Sequence, residues 1–368
     1  MPKVSICVPN LNTRPYLPER FETVFNQSFQ DWELVVCDSY SDDGSWEYIQ
    51  ELAAREPRMR ISQTPRKGIY AGFNDCIRLA RGEHVYIATS DDTMATDFLE
   101  KMVAALDKNP GCGLAHCCLD FIDEHGVKIS SGHCWDNWVT TRFFGDWNKN
   151  YHVRPRGHDA VVALALKTVY LSVTQILVRR DLFDLTGMYE SRWGSFGDLE
   201  WQMRAALATK TVHVPEYLAT WRIHPQQASQ AEQYDKAIRE GWFFDMATSA
   251  INFSRAHDSP VRGGLPGRLR RFYWNESRFA RLAAEKNRLG KFNVLCKSLR
   301  QGPMLLGWFL QAYFRDRFLH QAPEIENEVR KELSRLGLDT LSPANQITNS
   351  LVVPSSREHQ SVSGGDLE

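Results

Sequence analysis

Asp38 follows directly on a short apolar run, residues 33–37 (ELVVC), and the pair Asp91-Asp92 follows another, residues 84–88 (HVYIA), after Thr89-Ser90. A third run of the same kind, residues 4–8 (VSICV), leads into Pro9-Asn-Leu-Asn12. Carboxylate oxygens suit a hard divalent cation, and Ser90-Asp-Asp-Thr93 offers two carboxylates side by side. In Lys67-Gly68, the glycine permits close backbone approach at a helix start, where amides and the lysine can meet phosphate oxygens. Taken alone, each signal is weak: Ser90–Thr93 reads more simply as a helix-capping loop, and one Gly beside one Lys means little.

The elements that must position these residues raise their value. Short β-branched runs alternate with helical patterns: 4–8 then 18–27, 33–37 then 46–55, 60–62 then 69–80, and 84–88 then 98–106. That alternation implies βαβ units and a mainly parallel, doubly wound α/β sheet covered on both faces. Ligands of such sheets bind outside the carboxyl ends of the strands, so residues 9–12, 38–44 and 89–93 are expected to converge on one crevice. Further strands are expected at 114–121 and 169–178, a helix at 198–208, and short extended pieces at 212–214 and 218–221. Residues 123–167 read as a long irregular segment rich in aromatics, suited to sugar rings, to lipid or to packing of an insertion. Asp42-Asp-Gly-Ser45 reads as a turn and helix cap.

From residue 3 to about 229 the sequence resembles the family-2 glycosyltransferases, inverting enzymes of GT-A fold, through ordered segments. Val4-Ser-Ile-Cys-Val-Pro-Asn-Leu-Asn12 is similar to the opening motif around the nucleotide base, with Leu11 where a tyrosine is usual. The resemblance implies that Pro9, Asn10, Asn12 and Asp38 contact the nucleoside, and Ser39 replaces a common second Asp. Lys67-Gly-Ile-Tyr-Ala-Gly-Phe-Asn74 resembles the segment leading into the helix under the donor, which implicates Lys67, Gly68 and Asn74. Ala88-Thr-Ser-Asp-Asp-Thr93 is similar to the D-x-D region, with Thr89 in place of another Asp. It implies a bound Mn²⁺ or Mg²⁺ on Asp92, and Ser90 and Asp91 on the donor. Gly197-Asp-Leu-Glu-Trp-Gln-Met-Arg204 resembles the late segment whose acidic pair, usually Glu-Asp, opens a helix ending in Arg. Spacing from Arg204 makes Asp198 the expected general base, in competition with a helix cap or an ion pair with Arg204. Thr220-Trp-Arg-Ile-His-Pro225 is similar to the closing Arg-x-His segment, which implies His224 on the metal or diphosphate and Arg222 near the phosphates.

Composition bounds the remainder. With 44 basic and 45 acidic side chains the net charge is −1, so bulk charge points to no polyanionic or nucleic-acid partner. The eight cysteines are scattered through apolar runs, as reduced core thiols of a cytosolic protein would be, and no apolar stretch is long enough to span a bilayer. The expected organisation is a catalytic domain over 1–230, a helical appendage over 231–341 and a disordered tail over 342–368. Between 255 and 317 there are 14 Lys/Arg against 4 Asp/Glu, suited to a peripheral position on the anionic inner face of a membrane. The expected partners are thus a nucleotide-sugar donor, a glycan or lipid-linked glycan acceptor, and an anionic membrane surface. Two other readings compete: a sugar-1-phosphate nucleotidyltransferase, disfavoured because no Gly-rich loop follows the first strand, and a non-catalytic carbohydrate-binding or assembly protein, motivated by Thr89 and Gly197.

Overall fold

The computed structural model describes residues 1–130, 143–166, 168–225, 236–261 and 325–345, with positions 227, 287, 289–293 and 296. The first 108 residues follow the expected alternation: β1 (Val4–Asn10), α1 (Leu17–Phe25), β2 (Trp32–Asp38), α2 (Ser45–Ala53), β3 (Met59–Gln63), α3 (Ile69–Leu79), β4 (His84–Ile87) and α4 (Phe98–Lys108). Then come β5 (Cys112–Ile122), β6 (Lys128–Ser130), β7 (His152–Arg154), α5 (His158–Leu166), β8 (Ile176–Arg179), α6 (Leu182–Thr186), α7 (Gly197–Ala208) and β9 (Lys210–Arg222). The helices α8 (Lys236–Ala256) and α9 (Ile325–Leu336) and the short β10 (Ser342–Pro343) complete the described elements.

The strands form one sheet in the order β10-β7-β9-β5-β8-β4-β1-β2-β3, with β6 hairpinned onto β5. β1 pairs in parallel with β2 and β4, and β5 pairs in parallel with β9, while β8 is antiparallel to both β4 and β5. Burial on both faces explains why β1 reads as apolar throughout. Val4, Ile6 and Val8 pack with Leu17 and Phe21 of α1 and Phe98 and Met102 of α4, whereas Cys7 packs on the opposite face with Phe73 and Ile77 of α3. Trp201 of α7, fully buried, joins that second cluster beside Phe183 and Tyr189. A third cluster packs α7 against α5 and against Met246 and Ala250 of α8, with Val329 and Leu333 of α9 packed on α5.

Several sequence expectations are corrected. The run 169–178 is not one strand: Ser172 and Gln175 form a capping box around the single turn Val173–Gln175, and only Ile176–Arg179 is extended. The two pieces at 212–214 and 218–221 are one strand, β9, interrupted by register shifts against β5. Within 123–167 the chain is not irregular throughout. It contributes two strands and the buried helix α5, and Phe143 and Phe144 are core residues. Trp135 and Trp138 lie outside the described residues. Ser342–Pro343, expected to open a disordered tail, pairs with β7. The other tail residues expected to be disordered, from 346 on, and most of the basic stretch 255–317 lie outside the described residues. Cys7, Cys37, Cys76, Cys112 and Cys117 are buried free thiols. Among the described residues, no helix is long and apolar enough to cross a membrane.

Candidate active site

The carboxyl ends of β1, β2 and β4 and the start of α7 open onto one cleft of about 1040 Å³. Pro9, Asn10, Asn12, Gly68, Ser90, Asp91, Asp92, Asp198 and His224 all line it, so five segments far apart in sequence meet as expected. Gly68 has φ 92, a left-handed conformation that turns the chain into α3 and favours glycine.

Four of the residues expected in the site stand behind its wall or beside it. Asp38 is fully buried: its Oδ1 accepts from Asn10 Nδ2 at 2.7 Å and the Ser41 hydroxyl at 2.6 Å, and its Oδ2 accepts from the Ser41 amide at 2.9 Å. The parallel register that pairs Asn10 with Asp38 produces this lock. Asn74 is spent on both sides of Tyr189, donating to its carbonyl at 2.9 Å and accepting from its amide at 3.1 Å. Arg222, 1% exposed, is a strut that donates to the Asp91 carbonyl at 2.6 Å, to the Asp123 carbonyl at 3.0 Å and to Glu19 at 2.5 Å. Lys67 is exposed, and Arg66 is the neighbouring basic side chain that lines the cleft.

The two aspartates after β4, both on the cleft wall, differ in their surroundings. Asp92 is 3% exposed, and both its oxygens are taken, one by the Arg222 amide at 2.7 Å and the other by the Thr89 hydroxyl at 2.5 Å. Burial, with the neighbouring Asp91 charge, pushes its carboxyl up to about 7, opposed by Arg20. Asp91 instead presents its carboxylate to the cleft, with Oδ2 3.1 Å from His224 Nε2. An oxygen and an imidazole nitrogen at that spacing, both on the cleft wall, form a donor pair that fits a divalent cation. Tyr16 packs its ring 4.7 Å from the imidazole and so helps to orient it.

At the other end of the cleft, α7 starts with no side-chain cap, and Asp198 stands in its first turn. Arg204 does not pair with Asp198: its guanidinium binds Glu200 at 2.7–3.0 Å, and Glu200 also accepts from Ser249 at 2.7 Å. Glu200 is thus fully buried and occupied, while Asp198 remains at the cleft wall. Removal from bulk water raises the Asp198 carboxyl to about 6, and a hydrogen bond from Tyr70 at 2.8 Å moderates the rise. The carboxyl therefore sits where it can exchange a proton near neutrality.

Tyr16, Arg66, Tyr70, Glu124 and Trp221 also line the cleft and were not singled out from the sequence. Of these, Tyr70 had a visible signal, as one of two aromatics inside Lys67–Asn74. At the opposite ends of β1 and β4, Glu83, His84 and Asp107 bring three ligand-type atoms within 4.8 Å of one another. The Lys3 ammonium lies 2.9 Å from both carboxylates there and Arg179 lies 3.1 Å from Glu83, so that cluster is already neutralised by the protein's own cations.

The fold and cleft find counterparts among known proteins. The sequence profile of glycosyl transferase family 2 matches residues 5–184. The chain is 32% identical over 135 residues to the chondroitin synthase of Escherichia coli, covering 37% of this chain and 20% of that protein. It is 32% identical over 129 residues to the putative glycosyltransferase EpsE of Bacillus subtilis (strain 168), covering 34% and 46%. The chain thus spans a fifth to about half of the length of these relatives. Among solved structures, S. aureus TarS 1–349 in complex with UDP-GlcNAc superposes with a TM-score of 0.61 at 15% identity, covering 95% of this chain and 97% of that one. The mannosyltransferase PcManGT from Pyrobaculum calidifontis, in complex with GDP-Man and Mn²⁺, superposes with a TM-score of 0.51 at 17% identity, covering 91% and 88%. The fold is accordingly of the GT-A type, and residues 5–184 are similar in sequence to glycosyl transferase family 2.

Proposed function

We propose that this protein is an inverting glycosyltransferase that moves a sugar from a nucleoside-diphosphate sugar to a hydroxyl acceptor in polysaccharide or surface-glycan assembly. One observation carries the reading: a carboxyl held near pH 6 and an aspartate–histidine donor pair line one cleft at the carboxyl ends of a parallel sheet. The acceptor hydroxyl attacks the anomeric carbon from the face opposite the diphosphate. A new carbon–oxygen bond forms as the bond to the diphosphate oxygen breaks, and the hydroxyl proton passes to Asp198. Asn10 and Asn12 hold the nucleoside loop, and Asp38 acts by positioning Asn10 rather than by touching the base. A divalent cation on Asp91 and His224 would offset the charge gathering on the departing diphosphate. The names of the relatives, a chondroitin synthase and structures bound to UDP-GlcNAc and GDP-Man, support this donor class and a glycan acceptor.

The test is a panel of UDP-GlcNAc, UDP-glucose, UDP-galactose and GDP-mannose, assayed for release of nucleoside diphosphate with Mn²⁺, with Mg²⁺ and with EDTA. Turnover supports the enzyme. Tight binding without turnover would support the non-catalytic carbohydrate-binding reading, which the buried Asp92 and its Thr89 partner favour.

Metal use separates the two aspartates. Asp91→Ala is expected to abolish the Mn²⁺-dependent part of UDP binding, a loss of about tenfold or more. Calorimetry with and without Mn²⁺ reads this directly, and an unchanged metal response would remove Asp91 from the site.

The basic stretch 255–317 supports a peripheral position on anionic membrane. Sedimentation with anionic vesicles at low salt should recover the protein, and recovery should fall steeply with added salt. Equal recovery with neutral vesicles would sink the idea.

A further inference from the structure

Tyr70 projects from the first turn of α3 across the cleft wall, and its hydroxyl lies 2.8 Å from Asp198 Oδ1 and 2.9 Å from the Ser195 carbonyl oxygen. The phenol has one proton to donate, so the carboxylate and the carbonyl share it. Its ring is fixed on two sides: Tyr189 stacks on it at 5.8 Å and Phe73 meets it edge-on at 5.3 Å. A buried ring in such a vice gives the hydroxyl one place to be.

The residue preceding Asp198 makes room for that ring. A Cβ on Gly197 would lie 2.6 Å from Tyr70 Cε2 and 2.7 Å from the Glu190 carbonyl oxygen, closer than real Cβ atoms approach. Gly197 has ordinary helical φ, so it is here for space and not for backbone freedom. A glutamate at this position, the usual residue in sequences this segment resembles, could not coexist with Tyr70 in this place. The glycine and the tyrosine therefore belong together: the ring fills the volume that the missing side chain vacates.

We infer that Tyr70 is a positioning residue for the Asp198 carboxylate, and that Gly197 is what admits its ring to that place. The inference deepens the proposed function and rests on Asp198 acting as the base. Holding one carboxylate oxygen fixes the plane of the group, so the other oxygen keeps a single orientation toward an acceptor hydroxyl. The other charged and titratable groups around Asp198 leave this role to Tyr70. Glu200 is paired with Arg204 on the same helix, Glu190 is paired with Arg192 in the preceding segment, and Tyr189 is buried behind the Tyr70 ring. On α8, the hydroxyl of Ser249 is given to Glu200 and does not compete for Asp198.

Tyr70→Phe keeps the ring and its packing and removes only the hydroxyl, so the fold is preserved. The intact chain with ¹³C-labelled aspartate is titrated by NMR, the Asp198 resonance being the one lost in Asp198→Asn. The Asp198 midpoint is expected to rise by about one pH unit in Tyr70→Phe, because a hydrogen bond that favoured the charged form is gone. In the same variant, kcat for UDP release from UDP-GlcNAc, or from whichever panel donor turns over, is expected to fall about tenfold with KM unchanged. The acid limb of kcat should move up with the NMR midpoint. An unmoved midpoint overturns the inference, and so does a moved midpoint with unchanged kcat. If Asp198→Asn itself keeps normal turnover, the base reading falls, and the NMR midpoint alone then decides whether Tyr70 holds the carboxylate.

Discussion

Asp198→Asn is expected to lower the rate of sugar transfer by about 10²-fold or more while leaving donor affinity close to that of the unsubstituted protein. The amide has the shape of the carboxylate and can still accept from Tyr70, so α7 and the cleft wall keep their packing. What it lacks is the capacity to take the acceptor's proton. The unsubstituted enzyme should show the matching pH dependence. A base with its carboxyl at about 6 is ionised above that pH, so kcat should rise through pH 6 and level off above it, and the asparagine variant should lose this limb. Donor binding measured alongside the transfer rate separates chemistry from affinity. Near-normal transfer by Asp198→Asn would mean that another group is the base. Glu200, the adjacent carboxylate on the helix, is a poor substitute, since Arg204 and Ser249 occupy it in the core.

A second large effect is expected in stability: acidification from pH 7 to pH 5 should lower the unfolding free energy. Burial holds His84 down to about 4 and His152 down to about 3, and it holds His116 and His213 well below the ordinary histidine range. His116 and His213 lie 3.3 Å apart, and Arg154 donates to His152 at 2.9 Å, so a proton added to this cluster would meet existing positive charge. The unfolded chain protonates these four groups near pH 6.5, whereas the folded protein does not. Stability therefore falls as pH falls below about 6.5, by about 4 kcal/mol at about pH 5 from His84 and His152 together and further from His116 and His213. Asp92 and Asp198 act in the opposite sense. Their raised carboxyls, at about 7 and about 6, take up protons in the folded state first and offset part of that loss. Urea unfolding at the two pH values measures the difference. Equal stability at pH 7 and pH 5 would show that the histidine cluster admits protons without penalty.

The first 108 residues were legible as βαβ units because strands buried on both faces are apolar throughout and the helices between them are amphipathic. That legibility extended to the meeting of residues 9–12 and 89–93, since strand ends in a parallel sheet point the same way, while Asp198 and His224 were indicated only by the family resemblance. It failed where local pattern and environment part company. Residues 169–178 are apolar enough for a strand, yet Ser172 caps a turn inside them. The helix α5 is apolar all round because it is buried between α7 and α9, so it shows no periodic face to read.

Sequence by itself determined that the polar tails of β1, β2 and β4 reach one cleft, because the order of strands and the polar tails after them follow from hydrophobic periodicity and chain direction. Only the tertiary structure decided which atoms of those residues face it. Asp91 and Asp92 are neighbours of the same type, and their roles part because the Arg222 amide and the Thr89 hydroxyl, one of them 130 residues away, capture Asp92 and leave Asp91 beside His224. Asp198 and Glu200 part in the same way: Arg204 and Ser249 claim the glutamate, and Tyr70, 128 residues distant, holds the aspartate at the cleft. A carboxylate's partner fixes both its protonation and its direction, and the partner arrives only when the chain has folded.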